Sequence, residues 1–285
     1  MTVDEKLAVI AGNLRRCVTD ESCASDIAEG NLLELVRIAA ETGTDSSALA
    51  MARLVVPGGN AVMYAQFCRI YKKYCDGDES PLRSHETAEK PWCIAMPEMD
   101  RFSAVMDAFD EAGLRFEAEY IDSFSSCCED VELGNCGYVL LPYSDPVEGR
   151  LNSFDKMRER YGLKVHFIIY VTDSEGREYG YRLCGLGLHD KALCAPTGIA
   201  LTADTKYSPV EYLRGIEVFG ATGRHAEFDF ADSGIRVRCD TDITGLDDVA
   251  LDGLIMYLGT DTDLTIDGIY AEIYHKSRGL QNGLH

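Results

Sequence analysis

The spacing of apolar positions changes character partway along this chain, near residue 92. Before that point the period is helical. Leu32, Leu33, Leu35, Val36, Ile38 and Ala39 make one apolar stripe, with Gly43 as its stop. A second helix is predicted from about Asn60 to Tyr74 through Val62, Met63, Ala65, Phe67, Ile70 and Tyr71. Val55-Val56-Pro57-Gly58-Gly59 breaks the chain between them. A Tyr, Phe and Met stripe at helical spacing reads as core. The polar, turn-rich stretch from Asp76 to Pro91 is the predicted linker and domain boundary.

From Trp92 onward short apolar runs alternate with helical stripes. Cys93–Met96 is a strand, Ser103–Ala112 a helix stopped by Gly113, and Arg115–Ile121 an alternating, half-buried strand. Asp122 or Ser123 caps a helix that Gly134 closes, and a short buried strand follows at Gly137–Leu141. A helix from about Asn152 to Tyr161 leads into the apolar strand Val165–Val171. This alternation argues for βαβ units and a parallel sheet. The turn at Asp173-Ser174-Glu175-Gly176 joins that strand to another, Arg177–Leu186. Gly185 and Gly187 lack the third glycine of a dinucleotide fingerprint and mark a strand end.

The last part has its own order. Ile199–Ala203 is a strand, and Ser208-Pro209-Val210-Glu211 is a capping box that opens a helix ending at Gly220. Ala226–Phe230 and Ile235–Cys239 are strands joined by a turn through Asp232 and Ser233. A helix over Leu246–Leu258 and a strand over Leu264–Tyr274 complete a βαββαβ unit. The expected fold class is therefore α/β and α+β. Residues 1–90 are expected to form a helical N-terminal region and linker, 91–192 a small βαβ-type lobe, and 193–285 a βαββαβ domain.

Composition narrows the function classes. The chain has 285 residues, 46% of them apolar, enough for a proper core. Its 48 acidic residues against 27 basic ones give a net charge of −21, which repels nucleic acid and anionic membranes. The start, Met1-Thr2-Val3-Asp4-Glu5-Lys6, has no export signal, and no apolar run reaches membrane-spanning length. A cytoplasmic protein is expected. The 11 cysteines are scattered, without C-x-x-C pairs or accompanying histidines, and read as reduced, mostly buried thiols. No metal and no cofactor are expected. The histidines show no paired spacing, and His166, in an apolar strand, reads as structural.

Several segments in the middle of the chain resemble the first lobe of the prephenate dehydratase family. These are Ser103–Phe109, Tyr120-Ile121-Asp122-Ser123-Phe124, Val131–Pro142 and Val147-Glu148-Gly149. In that family a D-S-F precedes a helix, and the helix leads to a strand ending in Pro. The βαββαβ unit resembles the family's C-terminal regulatory ACT domain. The resemblance covers roughly residues 92–274, and it implies action on prephenate, phenylalanine sensing and a homodimer. The departures are specific. The family's P-I-E-N-S-x-x-G loop here reads Pro142-Tyr143-Ser144-Asp145-Pro146-Val147-Glu148-Gly149. The T-R-F triplet aligns at best with Tyr181-Arg182-Leu183. A turn at Asp173–Gly176 stands where the family inserts a second lobe. Val210-Glu211-Tyr212 and Phe230–Ser233 replace the G-A-L and E-S-R-P of the regulatory domain. The helical first part sits where fused enzymes of the pathway carry a chorismate mutase, without the spaced Arg, Lys and Glu of that activity.

A prephenate site needs fixed cations for two carboxylates and an acid for the departing hydroxide. Arg182 is the candidate catalytic residue; its structural alternative is a strand arginine on a solvated face. Arg101, Ser103, Ser144, Asp145, Gly149 and Arg150 are the candidate ligand-binding residues. Arg150 is placed at a helix start where an anion docks, or else on an exposed loop. Ser144 and Asp145 lie at the C-terminal end of a strand, or serve the turn before Pro146. Two readings follow: an active dehydratase making phenylpyruvate, or a non-catalytic regulatory protein that binds a small anionic or aromatic metabolite. The missing positions and the missing lobe favour the second.

Overall fold

The computed structural model describes residues 2–19, 25–42, 51–52, 54–75, 93–98, 101–188, 195–205, 214–231, 234–260 and 264–276. In chain order the elements are α1 (Val3–Thr19), α2 (Ser25–Thr42), α3 (Ala61–Cys75), β1 (Cys93–Met96), α4 (Phe102–Glu111), β2 (Glu117–Tyr120), α5 (Phe124–Glu132) and β3 (Tyr138–Asp145). There follow β4 (Gly149–Arg150), α6 (Asn152–Arg160), β5 (Lys164–Thr172), β6 (Glu178–Gly185), β7 (Gly198–Thr205), β8 (Thr222–Ala231), β9 (Gly234–Asp242), α7 (Asp248–Leu258) and β10 (Leu264–Lys276). The expected mixture of α/β and α+β elements is what the chain forms. The linker at 76–91, the capping box at Ser208 and the turn through Asp232 and Ser233 lie outside the described residues.

The chain divides into two compact units. Residues 1–86 group with 201–266, and residues 87–200 group with 267–285. In the first unit α1, α2 and α3 pack in sequence, and α7 packs on α3. Gly253 of α7 sets that approach: a Cβ there would sit 2.5 Å from Cys68 Sγ and 3.1 Å from the Phe219 ring. Asp247 caps α7 by accepting the Ala250 N–H at 2.8 Å. β8 and β9 form an antiparallel hairpin in this unit.

The second unit is a mixed sheet in the order β2-β1-β3-β6-β5-β10, with β4 folded back on β3. The expected parallel sheet is realised only in part. β1 runs parallel to β2 and β3, and β10 parallel to β5, but β6 is antiparallel to both of its neighbours. The tight turn at Asp173–Gly176 dictates this, because a hairpin can only join antiparallel strands. Asp173 Oδ1 accepts the Glu175 and Arg177 N–H groups there, at 2.9 and 3.0 Å.

Each face of this sheet is covered. On one side α4 contributes Phe102, Val105, Ala108 and Phe109 to a core with Phe167, Ile169, Tyr181 and Leu183. On the other, α5 and α6 cover Val139, Leu141, Ile168 and Cys184. β5 is thus buried on both sides, which its continuous apolar run requires. Ser123 caps α5 by accepting the Ser126 N–H at 3.2 Å. Gly113 and Gly134 take φ of +78° and +79° just past α4 and α5, where a side chain would be strained. β2 differs from the expected half-buried strand: it is the outermost strand of its sheet and nearly all of it is exposed. No helix among the described residues is long and apolar enough to cross a membrane.

Candidate functional site

Strand alternation sorts the candidate residues onto two faces. Tyr179, Tyr181 and Leu183 of β6 point into the α4 core, and Cys184 into the opposite one. Arg182 therefore faces the side of α5 and α6. Arg101 and Ser103 belong to the other face. Arg101 precedes α4 and lays its guanidinium 3.9 Å from the centre of the Tyr179 ring. Ser103 is exposed in the first turn of that helix. Burial pushes the Tyr181 hydroxyl above its ordinary range, with Arg101 pulling the other way.

Arg182 is not on a solvated face. It is 6% exposed, its Nη1 donates to Asp155 Oδ1, and its guanidinium carbon lies 3.8 Å from the centre of the Tyr143 ring. Arg150 meets the same carboxylate, donating from Nε to Asp155 Oδ2 at 3.0 Å. Arg150 is not at a helix start: it pairs with Ser144 in the β3–β4 hairpin, and α6 begins at Asn152. The hairpin aims it inward onto the first turn of α6. The structure thus brings Arg182 and Arg150 together around Asp155 and separates them from Arg101 and Ser103.

Asp145 and Gly149 shape the same hairpin. Asp145 Oδ1 accepts the Val147 and Glu148 N–H groups, at 2.8 and 3.3 Å. Gly149 takes φ of +73°. This is the turn chemistry of an Asx motif. Ser144 pairs with Gly180 across β6, where a Cβ would collide with Ser144 Oγ and come 3.1 Å from Tyr143 Cδ1. Gly180 is therefore what lets Tyr143 settle against the strand.

The aromatic side chains extend the cluster. Register places Tyr170 beside Gly180 and Tyr274 beside Tyr170. Tyr170 and Tyr274 stack at 5.0 Å with an interplanar angle of 16°, and Tyr143 stands 6.5 Å from Tyr170 at 62°. Tyr274 is exposed, and its hydroxyl donates to Glu272 Oε2 at 3.3 Å. The result is a partly open aromatic ledge with two guanidinium groups at the Tyr143 end.

Below it lies a second ionic pair. Arg158 donates from Nη1 to the Leu163 carbonyl at 2.9 Å and meets Asp267 with Nη2 at 3.0 Å. Burial lowers the Lys164 ammonium from its ordinary range, opposed by Asp267 and reinforced by Arg158. Burial pushes the Cys184 thiol up to about 11. Asp155, Arg158, Tyr143, Tyr170 and Tyr274 were not among the candidates drawn from sequence. The available signal was in α6, whose helical stripe Phe154, Met157, Tyr161 has two charged neighbours, Asp155 and Arg158, on its buried side. His166 is buried, its ring edge-on to Tyr138 at 5.4 Å. Among the described residues one set of side chains could hold a metal ion, Cys93, Glu119 and Cys136, and it shares no member with the arginine cluster.

No protein-family model matches the chain, and no curated protein matches its sequence. Solved structures do resemble its fold at low identity. Prephenate dehydratase from Streptococcus mutans is 12% identical, with a TM-score of 0.49 over 64% of this chain and 98% of that one. Prephenate dehydratase from Arthrobacter aurescens in complex with L-Phe is 10% identical, with a TM-score of 0.45 over 63% and 90%. GqqA, described as a novel type of quorum-quenching acylase, is 14% identical, with a TM-score of 0.45 over 63% and 94%.

Proposed function

We propose that this chain is a non-catalytic relative of the prephenate dehydratases that binds a small aromatic anion, an aromatic amino acid or its keto acid, and serves a regulatory role in phenylalanine metabolism. The observation that carries the reading is the buried ion pair of Arg182 with Asp155. The guanidinium best placed by sequence to receive a substrate carboxylate is already neutralised by a carboxylate of the chain itself, packed under Tyr143. The ledge supplies the binding surface. An aromatic ring packs on the ledge over Tyr143 and Tyr170, with Tyr274 backing the Tyr170 ring from behind, and Arg150 at the Tyr143 end faces its carboxylate. Ser144, beside Gly180, borders the same surface.

The segment from Gly198 to Lys276 supports an ACT-like reading, because its described elements follow in the order β7, β8, β9, α7, β10, with β8 and β9 an antiparallel hairpin. The same reading makes the chain a cytoplasmic homodimer joined through sheet edges. A monomer in sedimentation at micromolar concentration overturns that part.

The experiment is calorimetric titration with L-phenylalanine and phenylpyruvate, with L-alanine as the aliphatic control, alongside a prephenate turnover assay. The aromatic compounds are expected to bind and L-alanine not to. Tyr170→Ala should weaken binding about fivefold, the equivalent of about 1 kcal/mol of ring contact. Phenylpyruvate production from prephenate that disappears in Arg182→Ala would overturn the non-catalytic reading. Equal, weak heats for all three compounds would overturn the ligand class.

A further inference from the structure

We infer that Cys93, Cys136 and Glu119 form a binding site for a thiophilic divalent cation of the zinc class. The three residues come from three adjacent parts of one sheet. Cys93 opens β1, Glu119 lies in β2, and Cys136 stands two residues ahead of β3. β1 runs between β2 and β3, parallel to both, so three side chains far apart in sequence converge at one edge. The two sulfurs are 2.7 Å apart, and a single carboxylate oxygen, Glu119 Oε2, lies 3.5 Å from Cys93 Sγ and 3.2 Å from Cys136 Sγ. All three ligand atoms fall within 4.8 Å of one another.

Two thiols and a carboxylate are a ligand set suited to zinc. Thiolates sit about 2.3 Å and carboxylate oxygens about 2.0–2.2 Å from such an ion. A tetrahedral ion would part the sulfurs to about 3.8 Å, an opening of about an ångström at side chains that meet across neighbouring strands. The carboxylate is what separates a cation site from a disulfide. In the thiol form both S–H groups donate to Glu119 Oε2, whereas a disulfide would leave that oxygen facing two sulfurs with no proton between them. A cation takes the place of both protons: one M²⁺ enters, two thiol protons leave to solvent, and the two thiolates and the carboxylate become its ligands. Cys136 is buried, Cys93 half-buried and Glu119 exposed, so the fourth position opens toward water. Because two protons leave as the ion enters, binding weakens as pH falls.

The test uses the full chain, reduced and free of oxygen, titrated with Cd²⁺ alone and followed by the near-ultraviolet thiolate-to-cadmium absorption, with Zn²⁺ in competition. One equivalent of Cd²⁺ should bind with release of about two protons per ion. Cys93→Ser, at the half-buried position where folding is least at risk, should weaken binding at least a hundredfold, and Glu119→Gln about tenfold. Cys239→Ser should leave it unchanged. Circular dichroism on each variant separates lost ligation from lost fold. An absorption change that is the same in Cys93→Ser and in the unaltered chain overturns the site. So does a reduced chain whose Cys93 and Cys136 thiols both titrate with a thiol reagent yet which gives no thiolate-to-cadmium absorption with excess Cd²⁺.

Discussion

Replacing Arg182 with methionine removes a charge and keeps the length of the side chain. Asp155 and Arg182 are both almost wholly inaccessible, at 3% and 7% side-chain exposure. Removing one member of a buried pair typically costs about 3–5 kcal/mol, because the other charge stays behind without compensation. Here Arg150 keeps its 3.0 Å contact with the carboxylate, so the expected loss sits at the lower end, about 3 kcal/mol. At about 2–4 °C per kcal/mol for chains of comparable size, that lowers the Tm by roughly 6–12 °C. The chain has two compact units, so a single thermal midpoint can mix two transitions. Hydrogen exchange on peptides covering 164–172 and 178–185 reads the affected sheet directly. Protection there should fall in Arg182→Met and return in part in the double variant with Asp155→Leu, since the uncompensated buried carboxylate is then gone and the more exposed Arg150 loses only that contact. If Arg182→Met leaves protection in β5 and β6 unchanged, or the double variant is the worse of the two, the ion pair is not what holds this face together.

Two further perturbations probe packing and protonation. Gly268→Ala would drive a Cβ into the backbone of Val165, with Cα at 2.8 Å; a loss of about 1–3 kcal/mol is expected from such overpacking, read as a lower urea midpoint, and an unchanged midpoint would show that the β5–β10 pairing gives way without strain. Burial raises the thiols of Cys127 and Cys184 to about 11 and those of Cys68 and Cys128 to about 12, from an ordinary 9.0. The folded chain therefore holds protons that the unfolded chain loses above pH 9. This contribution to stability is complete below pH 9 and is lost as pH rises through the folded values. Urea midpoints should fall steadily between pH 9 and 11, and a flat profile over that range refutes the burial of these thiols.

The sequence made most helices legible because each buries one stripe. The Phe102, Val105, Ala108, Phe109 face and the Ser123 cap are local facts that survive folding unchanged. The strands were legible as strands, but their surroundings were not. Phe116, Ala118 and Tyr120 alternate as an inward face should, yet Tyr120 is 65% exposed, because β2 is the outermost strand of its sheet among the described residues. The candidate site suffered most, since its contacts are long-range. Arg182 was visible and its partner was not: Asp155 is 27 residues away and looks, in sequence, like any acid in a helix first turn. Cys93 and Cys136 are 43 residues apart, well beyond any spacing motif, and only the parallel pairing of β1 with its neighbours brings them to Glu119.

The Asp155 carboxylate sets an energetic cost on any ligand that would take its place on Arg182. A substrate carboxylate that takes the place of Asp155 on Arg182 must displace one that is covalently tethered, buried, and held by a second arginine. The displaced Asp155 would remain in a nearly water-free site with a single partner, a penalty of the same order as the Arg182→Met loss, about 3 kcal/mol. At 1.4 kcal/mol per factor of ten, that subtracts about two orders of magnitude from affinity before any new contact is made. Arg150 does not carry the same handicap. It is more exposed, at 17%, and it stands where the aromatic ledge begins. In the proposed reading, a ligand that packs on the Tyr143–Tyr170 part of the ledge and presents its carboxylate toward Arg150 leaves the buried pair intact, and so takes its binding energy from the surface without drawing on the stability of the sheet beneath.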